Sequence, residues 1–265
     1  MMLDREQIET QLRQHNCAYK LCCLEQTDST NADARRAAMK GAEHGLVITA
    51  ETQSAGRGRR GRNWVSPPGE NLYFSMLLFP EFEQEKAQML TLAAALAAVR
   101  AIREYGIDAK IKWPNDVVAD GRKLCGILTE LGWCPDGRYF VIVGIGINVN
   151  QQQFPEEISQ TAGSLCLQSQ KTVDRSKLLA AVLSAFSSCY DKFCIQQDMS
   201  GLSEEYESIL VNRGRQVRVL DPKGEWTGTA QGINSRGELL VCREDMTVEA
   251  VYAGEVSVRG IYGYV

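Results

Sequence analysis

The sequence predicts an α+β fold: a mixed β-sheet with helices packed on it, followed by a small C-terminal β-barrel. Three observations carry this. Strand-like runs are joined by the turn signals Asp120-Gly121 and Pro135-Asp136-Gly137 instead of a helix after every strand. The segments 84–105 and 174–197 have helical composition with suitable start and stop residues. From Gly214 onward short β-type runs alternate with turns, which places a boundary near residue 212 and divides the chain into 1–212 and 213–265.

The elements follow in order. Residues 4–14 read as a short polar helix and 20–25 as a strand. Asp28 and Ser29 are N-cap residues for a helix through about Met39, stopped by Gly41. Strands are expected at 46–51 and 71–79. The Ala- and Leu-rich segment 84–105 ends at Gly106 and reads as a buried helix. Strands follow at 109–113, 115–119, 123–131 and 139–149. Segment 150–173 is a long polar loop, and loops of that length are often functional. Asp174 caps a helix reaching about Gln197, and a shorter helix spans 203–211. The β-type runs of the last part lie near 215–220, 226–233, 238–242, 247–251 and 255–259.

Composition narrows the function. A hydrophobic fraction of 44% suits a globular core, and a net charge of −4 gives no overall field to attract nucleic acid. The nine cysteines are odd in number, form no C-x-x-C pair and stand beside only two histidines, which argues against a disulfide framework or a zinc site. The charged start MMLDREQIET is not a signal peptide, and the apolar run 92–99 is too short to span a bilayer. A cytoplasmic protein without membrane attachment is expected.

The run GRGRRGRNW places Arg57, Arg59, Arg60 and Arg62 among Gly56, Gly58 and Gly61. Glycines let the backbone turn sharply, and arginine forks match phosphate and carboxylate oxygens. The same glycines satisfy G-x-G-x-x-G, but a dinucleotide turn needs a helix opening within it, and here Pro67-Pro68-Gly69 and a strand follow. Four arginines in six residues, with glycines between them in a slightly acidic chain, favour an anion site over a solvated basic loop.

Three further strings stand beside it. DSTN, 28–31, offers helix-start N–H groups and small hydroxyls to a polar ligand, or it simply caps the helix. KWPND at 112–116 and RKLCGIL at 122–128 bring Lys112, Lys123 and Asp116 to a hairpin, where they could hold phosphates and magnesium, or form a charged edge. GIGINVN, 144–150, has glycines that admit close approach of a ligand, or merely relieve a crowded strand, and Asn148 carries donor and acceptor.

Together, in this order and spacing, DSTN, GRGRRGRNW, KWPND, RKLCGIL and GIGINVN resemble the biotin–protein ligases, most specifically over residues 25–150. The resemblance implies the catalytic fold shared by class II synthetases and biotin–lipoate ligases, with an SH3-like C-terminal barrel. It implies that biotin and ATP form biotinyl-5′-adenylate, and that a lysine of a biotin carboxyl carrier domain of a biotin-dependent carboxylase then attacks it. Biotin would be met by Ser29, Thr30, Asn31, Gln53, Gly56, Arg57, Trp64 and Gly126. ATP would be met by Arg59, Arg60, Arg62, Lys112, Asn115, Asp116 and Asn148, with Asp116 holding Mg2+. Lys123 and Arg59 would serve the chemistry. A homodimer through an edge strand would follow the family's habit. Only about 25 residues precede DSTN, too few for a three-helix DNA-binding module, so no DNA partner is expected. The rivals are a lipoate–protein ligase, against which GRGRRGRNW and KWPND speak, and a nucleic-acid-binding protein, against which the acidic balance speaks.

Overall fold

A computed structural model describes residues 2–221, 224–253 and 257–260. The larger sheet has seven strands: β1 (Lys20–Thr27), β2 (Leu46–Gln53), β3 (Leu72–Leu78), β4 (Lys110–Lys112), β5 (Asp116–Ala119), β6 (Arg122–Trp133) and β7 (Tyr139–Ile147). They lie in the order β1-β2-β3-β7-β6-β5-β4. Only β1 and β2 run parallel, because the helix α2 (Thr30–Met39) makes the crossover between them. The hairpin β5–β6 turns on Asp120 and Gly121, whose φ values of 47° and 71° are the paired positive angles of a two-residue hairpin turn.

Alternation along the strands gives the sheet two unlike faces. Leu72, Phe74, Met76, Val143 and Ile145 point into the main core. That face is covered by α1 (Arg5–Gln14), α3 (Leu90–Arg103) and α5 (Arg175–Gln196). On the other face α2 lays Ala34 and Ala38 on Ile48, Leu77, Phe140 and Ile142. Beyond the N-terminus of α2 the side chains of that face shrink to Ser75, Gly144, Gly146 and Gly126, and a cleft opens.

The C-terminal unit is a five-stranded antiparallel sheet of β8 (Gln216–Asp221), β9 (Gly224–Ile233), β10 (Leu239–Cys242), β11 (Val248–Val251) and β12 (Ser257–Gly260), in the order β11-β10-β9-β8-β12. Its inward residues Val217, Val219, Ala230, Leu239 and Val241 join the main apolar core. Trp113 stitches the two sheets: its backbone N–H donates to Asn212 Oδ1 at 2.8 Å and its indole N–H to the Gly237 carbonyl at 3.0 Å.

Several expectations need correction. The segment 84–105 is not one helix: a 3-10 turn (Gln84–Met89) precedes α3, which ends at Arg103. The last short helix, α6 (Ser203–Ser208), stops earlier than expected. The loop 150–173 contains a helix, α4 (Leu165–Ser169), capped by the Ser164 hydroxyl. Residues 255 and 256 of the last expected strand lie outside the described residues. Residues 92–99 are too short to cross a membrane, but the 22-residue α5 is long and apolar enough by length and composition. Its Leu178, Leu179, Leu183, Phe186 and Phe193 are buried in the protein core. All nine cysteines are free; Cys125, Cys134 and Cys189 are buried, while Cys23 is exposed.

One buried ion pair ties the helical layer to the sheet. Arg175, the first residue of α5, is 6% exposed and Glu51 of β2 is 11% exposed, with Nη1 and Oε2 2.8 Å apart. Arg175 also donates to the Asn71 carbonyl at 2.9 Å, and Glu51 accepts the Leu3 amide at 2.8 Å. Removing one member of such a pair leaves the other charge buried without its counter-ion. Arg175→Ala is expected to lower stability by about 3–5 kcal/mol. Denaturant unfolding should show a smaller loss in Glu51→Ala/Arg175→Ala than the sum of the two single variants; simple additivity would contradict this account.

Candidate active site

The cleft begins where β1 hands over to α2. Ser29 has N-cap backbone geometry, yet its hydroxyl makes no cap bond. Gln53, at the end of β2, takes that place: its Oε1 accepts the Thr30 amide at 2.9 Å, with the Thr30 hydroxyl at 3.2 Å. Gln53 Nε2 in turn donates to Ser66 Oγ at 3.1 Å. Of the two readings of DSTN, side-chain capping by Ser29 is thus not what the structure uses. Ser29, Thr30 and Asn31 are buried against the cleft.

The floor is bare backbone. Gly126 of β6 pairs with Gly146 of β7, and Leu128 with Gly144. A Cβ on Gly146 would lie 2.5 Å from Trp64, one on Gly126 2.8 Å from it, and one on Gly144 would fall inside the Asn31 amide. Trp64 therefore lies directly on the paired glycines. Its indole N–H is buried and has no hydrogen-bond partner among the described residues. Beside Trp64 the remaining cavity is about 50 Å3.

The arginine loop folds back on itself. Gly58 donates to the Arg62 carbonyl at 2.7 Å, and Arg60 and Gly61 take left-handed φ values of 58° and 71°. A strand-turn-helix dinucleotide motif is absent here, as expected from the prolines. The four arginines are not equivalent. Arg57, Arg60 and Arg62 are exposed, while Arg59 turns inward, donating to Asn115 Oδ1 at 3.1 Å and to the Ala253 carbonyl of the C-terminal unit. Burial lowers its pKa.

The lysines stand on the β4–β5–β6 hairpins. Lys123 Nζ is 2.5 Å from Asp116 Oδ1 and 5.3 Å from the Trp64 ring centroid. Lys112 is 6% exposed; burial, outweighing the pull of Asp116, pushes its pKa down to about 8. A second cavity of about 710 Å3 is lined by Arg60, Arg62, Lys112, Asp116 and Asn148. It shares Arg59, Trp64, Asn115 and Lys123 with the first. The arrangement suits two ligands, one on the glycine floor and one among cations, meeting at Lys123.

Two residues do more structural work than expected. Asn148 Nδ2 donates to the carbonyls of Gly163 at 2.9 Å and Lys123 at 3.4 Å. Asn115 donates to the Ile127 carbonyl at 3.1 Å while holding Arg59. Among the described residues no group of three or more His, Cys, Asp or Glu could hold a metal ion. The donor set, one carboxylate already near Lys123, suits an ion carried on phosphates, the common habit of magnesium, and not a protein cage. Ser75 and Arg259 were missed. A serine inside the apolar run LYFSMLL was a legible signal, whereas Arg259 lies in the other unit with no motif around it.

Residues 23–150 match the biotin/lipoate A/B protein ligase family, and residues 214–259 the biotin protein ligase C-terminal domain. The bifunctional ligase/repressor BirA of Bacillus subtilis is 35% identical over 231 residues, covering 86% of this chain and 70% of that protein. The biotin–[acetyl-CoA-carboxylase] ligase of Mycobacterium tuberculosis is 32% identical over 262 residues, 96% of this chain and 95% of its own. The biotin protein ligase from Aquifex aeolicus, solved in complex with biotin and ATP, superposes with a TM-score of 0.80 at 35% identity, covering 91% of this chain and 99% of that one.

The glycine floor can be tested directly. Gly146→Ala forces a methyl group into Trp64 and into any ligand replacing it. Calorimetry is expected to show biotin affinity reduced by about tenfold or more, with the circular dichroism spectrum unchanged. Unreduced affinity would show that this strand surface is not the ligand seat.

Proposed function

The chain belongs to the biotin protein ligases of the biotin/lipoate A/B protein ligase family, and from that premise we propose how its residues divide the work. The enzyme joins biotin to a lysine of a carboxylase carrier protein at the expense of ATP; lipoate ligation is not favoured. The observation that carries the assignment of roles is the shared border of the two cavities at Lys123.

Biotin would lie on Gly126 and Gly146, with Ser29, Thr30, Asn31 and Gln53 around its ureido ring, Trp64 along its apolar part, and Gly56 and Arg57 closing over it. ATP would fill the larger cavity, with Arg60, Arg62 and Lys112 at its phosphates and Asn115, Asp116 and Asn148 lining the nucleotide side. A carboxylate oxygen of biotin attacks the α-phosphorus, the bond to the bridging oxygen breaks, and pyrophosphate leaves. Both reacting partners are anions, so the step needs fixed positive charge between them. Lys123 supplies it, releasing Asp116 to do so, and Arg59 adds a second cation. The carrier lysine, as free amine, then attacks the acyl carbon and AMP departs. Magnesium arriving with ATP would be held by phosphate oxygens and Asp116 and would neutralise phosphate charge.

The same proposal divides the chain into a catalytic unit, 1–212, and a C-terminal unit, 213–265, and places the enzyme in the cytoplasm. It includes a homodimer through the main sheet. Support for that comes from β6, whose residues 128–133 run past the last partner in β5 and present a strand edge.

Lys123→Ala is expected to slow biotin-dependent pyrophosphate exchange by roughly 100-fold or more, an effect of ~3 kcal/mol, while biotin still binds. Pyrophosphate exchange at the wild-type rate would remove Lys123 from the chemistry. Arg59→Gly removes the bonds to Asn115 and Ala253 and adds freedom to a loop that must order. The variant is expected to make the adenylate but release it faster, so that bystander proteins become biotinylated; an unchanged off-rate would contradict the anchoring role.

A further inference from the structure

A line of buried polar groups runs behind the cleft. Ser75, in the middle of β3, is fully buried, and its hydroxyl lies 2.6 Å from Asn31 Oδ1 and 2.7 Å from Thr30 Oγ1. Asn31 Nδ2 donates to Glu130 Oε2 at 2.7 Å and to the Leu128 carbonyl at 3.3 Å. Glu130 stands on β6 on the same face of the sheet as Gly126, with 27% of its side chain exposed.

Counting protons fixes the direction of this line. A backbone carbonyl only accepts, so the Asn31 amide presents its NH2 to Leu128 and Glu130 and its oxygen to Ser75. Ser75 has one proton, and Asn31 Oδ1 can only accept it. The short contact between Ser75 and Thr30 then requires the Thr30 hydroxyl to donate. Gln53 Oε1 keeps the Thr30 amide at 2.9 Å, the shorter of its two contacts with that residue. Thr30, which lines the cleft, then offers its Oγ1 as an acceptor and not a donor. A biotin ureido ring presents two N–H groups, and an acceptor held in one orientation is what such a ligand needs.

We propose that Ser75 and Glu130 are positioning residues for the biotin ureido group, orienting Asn31 and Thr30 so that the Thr30 hydroxyl accepts a ureido N–H. Glu130, together with the Leu128 carbonyl, sets the sense of the line and Ser75 carries it across β3. Neither touches the reacting atoms. This rests on the placement of biotin in the cleft.

The test uses the full-length protein with Ser75→Ala and Glu130→Gln. Glu130→Gln keeps the volume at a partly exposed site, and so serves even where Ser75→Ala fails to fold. Its amide can donate as well as accept, which leaves the longer Leu128 carbonyl contact alone to hold the Asn31 NH2 and so loosens the orientation of Asn31. The KM for biotin is expected to rise about tenfold in each variant, with kcat and the KM for ATP within about twofold of wild type. Calorimetry with desthiobiotin, which keeps the ureido ring, should show a similar tenfold loss. An unchanged KM for biotin in Glu130→Gln would overturn the proposal, as would an equal rise for ATP, the mark of a purely structural role. Wild-type protein that takes up no biotin would instead overturn the underlying placement.

Discussion

The active-site arrangement depends on one constraint: half of one sheet face must stay bare. A seven-stranded sheet exposes two faces, and burying apolar side chains against helices is what stabilises it. The face beneath α3 and α5 obeys this fully. On the opposite face α2 covers one half, and the other half has Gly126, Gly144 and Gly146 where a packed sheet would carry Val or Ile. Without those glycines there is no room for Trp64, and Asn31 cannot approach β7. The bare surface must be covered by something, and here Trp64 covers it, with its indole N–H unpartnered among the described residues.

The second requirement is electrostatic. On the proposed division of roles two anions have to be brought together, and the cations bordering the larger cavity include buried ones. Lys112 is buried enough for its pKa to fall to about 8, and burial also lowers that of Arg59. Such groups are costly to keep charged without partners. Asp116 Oδ1 lies 2.5 Å from Lys123 Nζ, the place a phosphate or carboxylate oxygen would take on the proposed reading. The Asn115 and Ala253 oxygens stand in the same relation to Arg59. Exchange of these internal partners for ligand oxygens is how binding would pull the arginine loop and the C-terminal unit onto the site.

Much of the geometry was legible in the sequence because it sits on short, unusual strings. KWPND and RKLCGIL flank the Asp120-Gly121 turn, so Asp116 and Lys123 had to come close across a hairpin, and they do. The glycines of GIGINVN were visible, although only the register with Gly126 shows that they make one floor. What the sequence hid is long-range. Nothing local says that Arg59 meets Ala253, that Asn148 ties Gly163 to Lys123, or that Arg259 faces the larger cavity. The 3-10 turn before α3 was missed because its composition is as helical as that of α3 itself.

The central claim is that one ligand lies on the glycine floor and the other among the cations, with their reacting ends at Lys123. A crystal structure with biotin and a non-hydrolysable ATP analogue tests it most directly. The account predicts the bicyclic ring over Gly126 and Gly146, Trp64 moved off that floor, and Lys123 turned from Asp116 to bridge the biotin carboxylate and the α-phosphate. Biotin bound away from those glycines, or Lys123 still paired with Asp116 while both ligands are in place, would contradict it.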